Sequence, residues 1–235
     1  GNEADNYNRA NCFALNLMQS LSDTRYTRVY RTAKGTASTY RCTEYGQNPS
    51  DDVNSDRTSG PGYGLVQLPI TTFNVPPVSG VAAGATQPMW IMTSVEAAFL
   101  VAEATARGWL TGDAEAAYRN AVYESFDYLK LPTADADAYL AGTNARVAWP
   151  AAGTTQEKVA VVAWQKYFAL NGLQGNVVWT DWRRLGVVQP PLSLAQERGN
   201  NPIPRRLLYP SAEYSYNASN APSGINQFTS KIFWD

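Results

Sequence analysis

Residues 93–108 read TSVEAAFLVAEATARG. Thr93-Ser94-Val95-Glu96 has the T-x-x-E spacing of a capping box, in which a threonine hydroxyl and a glutamate satisfy orphan N–H groups at a helix start. Neither Gly nor Pro interrupts the run up to Arg107, and Gly108 supplies a helix stop. The charged residues Glu96, Glu103 and Arg107 stand at offsets 0, 7 and 11, so they share one face. Val95, Ala98, Phe99, Leu100, Val101 and Ala102 cover the rest. A helix apolar over most of its circumference is expected to pack on several sides.

A second helix is expected from about Asp113, with Ala114, Ala117, Tyr118, Ala121, Val122, Ser125, Phe126 and Leu129 as its seam. The short connection makes the two an antiparallel αα-hairpin. The arrangement recurs. Thr154-Thr155-Gln156-Glu157 opens a helix with Val159, Val162, Ala163, Tyr167 and Leu170 on one stripe, ended by Asn171-Gly172. A further helix spans roughly 175–185, with Val178, Trp182 and Leu185 inward and Gly186 as stop. Two consecutive hairpins, at about 93–130 and 155–186, suggest tetratricopeptide-like stacking, although the residue signature of that repeat is not in register. Upstream, Phe13, Leu17 and Leu21 recur every four residues and mark a short helix ending near Ser22. Residues 23–90 hold no sustained period and are punctuated by Pro and Gly. Residues 187–235 are rich in Pro and Asn and read as extended chain wrapped over the helices. The fold class is therefore mainly α, as one region of 1–22, 23–90, 91–186 and 187–235.

Composition narrows the chemistry. The 235 residues are 44% apolar and carry 19 basic and 20 acidic side chains, for a net charge of −1. No basic excess exists to release counterions from a phosphate backbone, which argues against a nucleic-acid partner. No stretch approaches 18 uninterrupted apolar residues, and no leader pattern opens the sequence. Histidine is absent. That excludes His-based triads, His-ligated zinc and a His general base, and no cofactor or metal is implied. Cys12 and Cys42 match no zinc or redox spacing; they either pair in an oxidising compartment or remain free thiols. The marked excess is aromatic: 7 Trp, 14 Tyr and 7 Phe. These build either a large core or a surface for flat amphipathic ligands such as sugars.

Several segments stand in a telling order: Thr93-Ser94-Val95-Glu96 through Ala102-Glu103-Ala104 with Ala106-Arg107-Gly108, then Gly112-Asp113-Ala114 and Tyr118-Arg119-Asn120-Ala121-Val122. Gln165-Lys166-Tyr167-Phe168-Ala169-Leu170, Trp179-Thr180-Asp181-Trp182-Arg183-Arg184-Leu185-Gly186, Ile203-Pro204-Arg205-Arg206 and the closing Ile232-Phe233-Trp234-Asp235 follow. Together they resemble the C-terminal part of SusD-like (SusD/RagB) proteins, the glycan-binding outer-membrane lipoproteins of polysaccharide-utilisation systems. The match is good over about 90–235. Earlier it is weak, with Ser22-Asp23-Thr24-Arg25 where relatives have Asp-Pro-Arg. Asn176-Val177-Val178 departs from the family's Gly/Glu-rich approach to Trp179. The resemblance implies a SusD-like α-superhelix. It also implies that the family's N-terminal half and its lipidated Cys are missing here, Cys12 lacking the apolar run of a lipidation site.

The resemblance further implies a non-catalytic, surface-exposed, lipid-anchored component that captures an oligosaccharide or polysaccharide above a SusC-like TonB-dependent outer-membrane transporter. Two other readings stand beside it: a carbohydrate-active enzyme such as a helical glycoside hydrolase, and a helical-repeat module binding only protein. For the enzyme, Glu96 and Glu103 lie two helical turns apart, roughly 10 Å between Cα atoms, near the carboxyl spacing of inverting glycosidases. The alternative is that Glu96 caps its helix and Glu103 pairs with Arg107. Asp181, Arg183, Arg184, Arg205 and Arg206 read either as an anion site or as arginines fastening the C-terminal segment to the helices. Trp109 and Trp164, beside helix seams, are expected in the core. A sugar platform needs aromatics on loops, and Tyr45, Tyr63, Trp90 and Trp149 meet that condition best, with Asn48, Asp51 and Arg57 as possible hydroxyl partners.

Overall fold

The computed structural model describes residues 9–30, 32–33, 39–47 and 91–232. Among them are eight α-helices: α1 Cys12–Ser20, α2 Tyr26–Val29, α3 Ser94–Ala106, α4 Ala114–Tyr128, α5 Thr133–Leu140, α6 Thr155–Leu170, α7 Gly175–Leu185 and α8 Ser211–Tyr216. A 3-10 turn covers Gln196–Arg198, and one isolated bridge pairs Asn11 with Thr43. No strand occurs among the described residues, so the fold is mainly α.

The hairpins form where the sequence places them. Helix α3 packs on α4 and on α6, and α6 packs on α7. Gly108 ends the first helix with φ +75° and Gly186 ends α7 with φ +67°, a left-handed conformation that costs glycine least. Phe99, Ala102, Tyr118, Ala121, Val122, Phe126, Val161, Val162 and Leu170 form one continuous core through α3, α4 and α6. The α4 seam is buried at Tyr118, Ala121, Val122, Ser125 and Phe126.

Three expectations need correction. Helix α3 is not covered all round: Leu100 and Val101 are 39% and 50% exposed. In α1 the buried stripe is Ala14, Leu15 and Met18, while Phe13, Leu17 and Leu21 are only half-buried. Helix α5 is additional; it needs only Ala136, Tyr139 and Leu140 to bury two turns, too few to show a period. Of the two alternatives left open for Cys12 and Cys42, the structure has the disulfide, with Cα atoms 4.8 Å apart. Paired hydrogen bonds make that approach possible: Cys12 N–H donates to Thr43 O and Thr43 N–H to Ala10 O, each at 2.9 Å.

Asp23 and Arg25 are wholly buried charges. The Arg25 guanidinium donates to both Asp23 carboxylate oxygens (Nε at 2.8 Å, Nη2 at 2.7 Å), to Ser125 Oγ of α4 and to Gln165 Oε1 of α6, the last two at 2.8 Å. Phe126 and Tyr139 rings lie 4.8 and 5.2 Å from its carbon. This socket clamps the segment after α1 against both hairpins.

Candidate functional site

The motifs that carry the resemblance sit at joints between helices. Glu103 of α3 accepts hydrogen bonds from Arg107 Nε at 2.8 Å and from Arg184 Nη1 and Nη2 of α7 at 2.5 and 2.7 Å. Arg184 Nη2 also donates to Asp181 Oδ1 at 2.9 Å, and the buried Lys166 of α6 reaches Asp181 Oδ2 at 2.9 Å. Charges alternate along Arg107, Glu103, Arg184, Asp181 and Lys166, so three helices are riveted by one ladder. Burial alone would raise the Glu103 carboxyl. Hydrogen bonds and charge from Arg184, then Arg107, outweigh that and hold it below the usual carboxylate range. A carboxyl so held is a poor proton donor, unlike the raised acid a glycosidase requires.

The remaining arginines act elsewhere. Arg183 stacks over Trp179 in its own helix, 4.9 Å from the ring centroid. The backbone N–H groups of Arg205 and Arg206 donate to Gln227 O at 2.8 and 3.3 Å, and the Arg206 guanidinium lies over Tyr209 at 5.3 Å. They tie the C-terminal segment to itself; Arg184 ties helix to helix.

Glu96 separates from its twin. At α6, Thr154 and Glu157 close a full capping box. At α3, Thr93 Oγ1 accepts from Glu96 N–H at 3.1 Å, but no bond returns from the Glu96 carboxylate to Thr93. Glu96 instead lines a cleft between α3 and α7.

Of the four loop aromatics, Tyr63 and Trp90 lie outside the described residues, as do Asn48, Asp51 and Arg57. Trp149 is half-buried and stacks on the core residue Tyr118, centroids 5.3 Å apart and planes at 26°. That leaves one indole face at most for a ligand. Tyr45 is 56% exposed and borders a cleft of about 370 Å³. Gly46 builds this cleft: a Cβ there would fall 2.0 Å from Ser193 Oγ, so only glycine lets residues 193–195 come this close. Leu194 N–H then donates to Tyr45 O at 2.8 Å. Arg198 folds the opposite wall, donating from Nε to Ser193 O and from Nη1 to Asn201 O, at 2.5 and 2.9 Å. Glu197, Gln227 and Phe228 join Leu192, Pro202, Ile203 and Pro204 in a lining that mixes aliphatic and aromatic surface with polar groups. The volume and mixture suit a small polar ligand with an apolar face. Sequence reasoning found Tyr45 but not its partners, which lie some 150–180 positions away in a segment without periodicity.

Trp164 joins Phe13, Tyr167 and Phe168 in a half-buried aromatic cluster, with centroid separations of 6.5, 6.2 and 5.9 Å. Trp109, expected in the core, is 71% exposed. Gly108 swings the chain off the end of α3, which carries the indole outward.

Comparison with known proteins gives one coherent result. Residues 2–210 match the model of a SusD-like family described as starch-binding and associating with the outer membrane. No match is found among curated proteins. Solved structures of similar fold include a SusD homologue from Bacteroides fragilis (19% identity, TM-score 0.70, 92% of this chain and 48% of that one). Another, from Bacteroides uniformis, has 22% identity and TM-score 0.69 over 92% of this chain and 47% of that one. A chitin-binding SusD homologue from Flavobacterium johnsoniae has 24% identity and TM-score 0.65 over 86% and 43%. The chain thus spans about half the length of these structures.

Proposed function

The chain belongs to the SusD-like family, and from that premise we propose that it is the non-catalytic, glycan-capturing part of an outer-membrane polysaccharide-uptake complex. The observation that carries this reading is the match over residues 2–210 to a family described as starch-binding and associated with the outer membrane. The fold shared with a chitin-binding homologue supports it. So does the Cys12–Cys42 disulfide, since such bonds persist in oxidising, extracytoplasmic surroundings. The proposed ligand is an oligosaccharide or polysaccharide, and the proposed partner a SusC-like TonB-dependent transporter. The longer protein would hold the chain at the cell surface by a lipid anchor.

Tyr45 is the proposed platform, its ring meeting the C–H face of a pyranose while Glu197, Arg198 and Gln227 meet hydroxyls. Tyr63, Trp90 and one face of Trp149 are proposed as further sugar contacts. Ring desolvation and loop ordering oppose binding, so affinity should be weak, on the order of 0.1–1 mM. Calorimetric titration with a panel of oligosaccharides tests this. Binding without release of reducing ends, weakened roughly fivefold or more by Tyr45→Ala, is expected. Absence of binding across the panel, or release of reducing ends, would overturn the reading.

A further inference from the structure

Glu96 opens onto the cleft between α3 and α7. The cleft's volume is about 380 Å³, within the range of small-molecule sites. Trp109 forms one side, and its exposed indole is not loose. Its backbone N–H donates to Ala104 O at 2.9 Å, which fixes where the side chain leaves the main chain. The Arg107 guanidinium lies 5.1 Å from the ring centroid, and Arg107 is itself held by Glu103 at 2.8 Å. The indole is therefore backed on one face by the charge ladder before any ligand arrives, which lowers the ordering cost of binding. Leu100 extends the apolar floor. The Glu96 carboxylate and the exposed side chains of Asn176 and Thr180 supply polar groups around it.

The charges decide what kind of ligand fits. Arg107, Arg184 and Lys166 all line or border this cleft, but each is already paired with Glu103 or Asp181. Glu96 has no ion-pair partner among the described residues. The lining itself carries three carboxylates, Glu96, Glu103 and Asp181, against two cations, Lys166 and Arg184, a net charge of −1; Arg107 behind Glu103 brings the wider group to neutral, so no cation is in excess to receive an anionic ligand. A uronate or sulfated sugar would meet a carboxylate with no cation free to receive it; a neutral sugar offers hydroxyl donors to the same carboxylate.

We infer that the Trp109 cleft is a second sugar subsite, selective for neutral pyranose residues over anionic ones. This rests on the glycan-binding reading and adds a place and a charge preference to it. Stacking on this indole supplies contact area, and Glu96, Asn176 and Thr180 supply direction.

The test uses the full 235-residue chain with maltoheptaose, chitohexaose and xylohexaose as neutral probes, and polygalacturonate and heparin as anionic ones. Hydroxyl-radical footprinting read by mass spectrometry reports Trp109 individually. At least one neutral probe should protect Trp109, and Trp109→Ala should weaken that probe by roughly tenfold. The circular dichroism of this variant should stay unchanged, because the indole is exposed. Glu96→Gln should bring polygalacturonate binding closer to that of the neutral chains. A neutral probe that binds while Trp109 stays unprotected, with Trp109→Ala at wild-type affinity, overturns the subsite and leaves the glycan reading standing. Tighter binding of polygalacturonate or heparin than of every neutral probe overturns the charge preference. Failure of all five to bind removes the glycan reading itself.

Discussion

Replacing Arg25 by Met should unfold this protein more readily than any surface change. The side chain is fully buried and makes four charge-assisted hydrogen bonds, two of them to Asp23, which is equally buried. Methionine fills the volume but leaves the Asp23 carboxylate without its cation. Breaking a buried pair from one side costs about 3–5 kcal/mol. Domains are stable by only about 5–15 kcal/mol, so a large share of the total is lost. The urea midpoint should fall by roughly 1–2 M with an unchanged slope. Asp23→Leu added to Arg25→Met removes the stranded charge, so the double variant should be more stable than the single one, though Ser125 and Gln165 still lack their donor. Arg25→Lys keeps the charge but not the fork geometry and should fall between. An Arg25→Met midpoint within about 1 kcal/mol of wild type, or a double variant less stable than the single, would refute the reasoning.

The disulfide closes a loop of 30 residues, which on the chain-entropy account contributes about 3–4 kcal/mol. Cys12→Ser with Cys42→Ser should lower the calorimetric melting temperature, and the same fall should follow reduction of the wild type. The Glu103 ladder makes a pH prediction. Because its folded carboxyl titrates below the usual value, its contribution is complete above about pH 4.3 and fades as pH falls below that, through the depressed folded value. Thermal melts from pH 7 to pH 3 should show the gap between wild type and Glu103→Gln closing in acid; a gap independent of pH would count against the ladder.

What the sequence discloses follows how local each signal is. Thr93 and Gly108 bracket α3 because caps act within one turn, and Gly186 stops α7 for the same reason. The α4 seam is readable because Tyr118, Ala121, Val122, Ser125 and Phe126 keep one period. The Asp23–Arg25 socket is not readable as buried, because its walls stand 100 and 140 positions downstream. Trp149 looks exposed in a Gly/Ala/Pro loop, yet the loop bends it onto Tyr118. Trp109 looks buried beside an apolar run, yet it follows a left-handed glycine that points it away. Most instructive are Glu96 and Glu157. Both occupy T-x-x-E, and only Glu157 closes the box. The resemblance supplied a family and its joints; it did not supply which aromatic side chains face a cleft.

Helix α7 buries no residue of its own, and ion pairs from Arg184 and Asp181 are prominent among its ties to α3 and α6. In terms of local cooperativity it is the unit bordering the α3–α7 cleft with the least buried side-chain surface, so its attachment depends on the ladder more than that of α3 or α6 does. One wall of that cleft is therefore stiff and the other compliant. A ligand touching only α3 and Trp109 meets a finished surface, whereas one that also engages Asn176 and Thr180 must still α7 as it binds. If the cleft takes a sugar chain, as inferred above, that difference would set length discrimination by entropy: short ligands held weakly at no ordering cost, longer ones exchanging freedom of α7 for added contact.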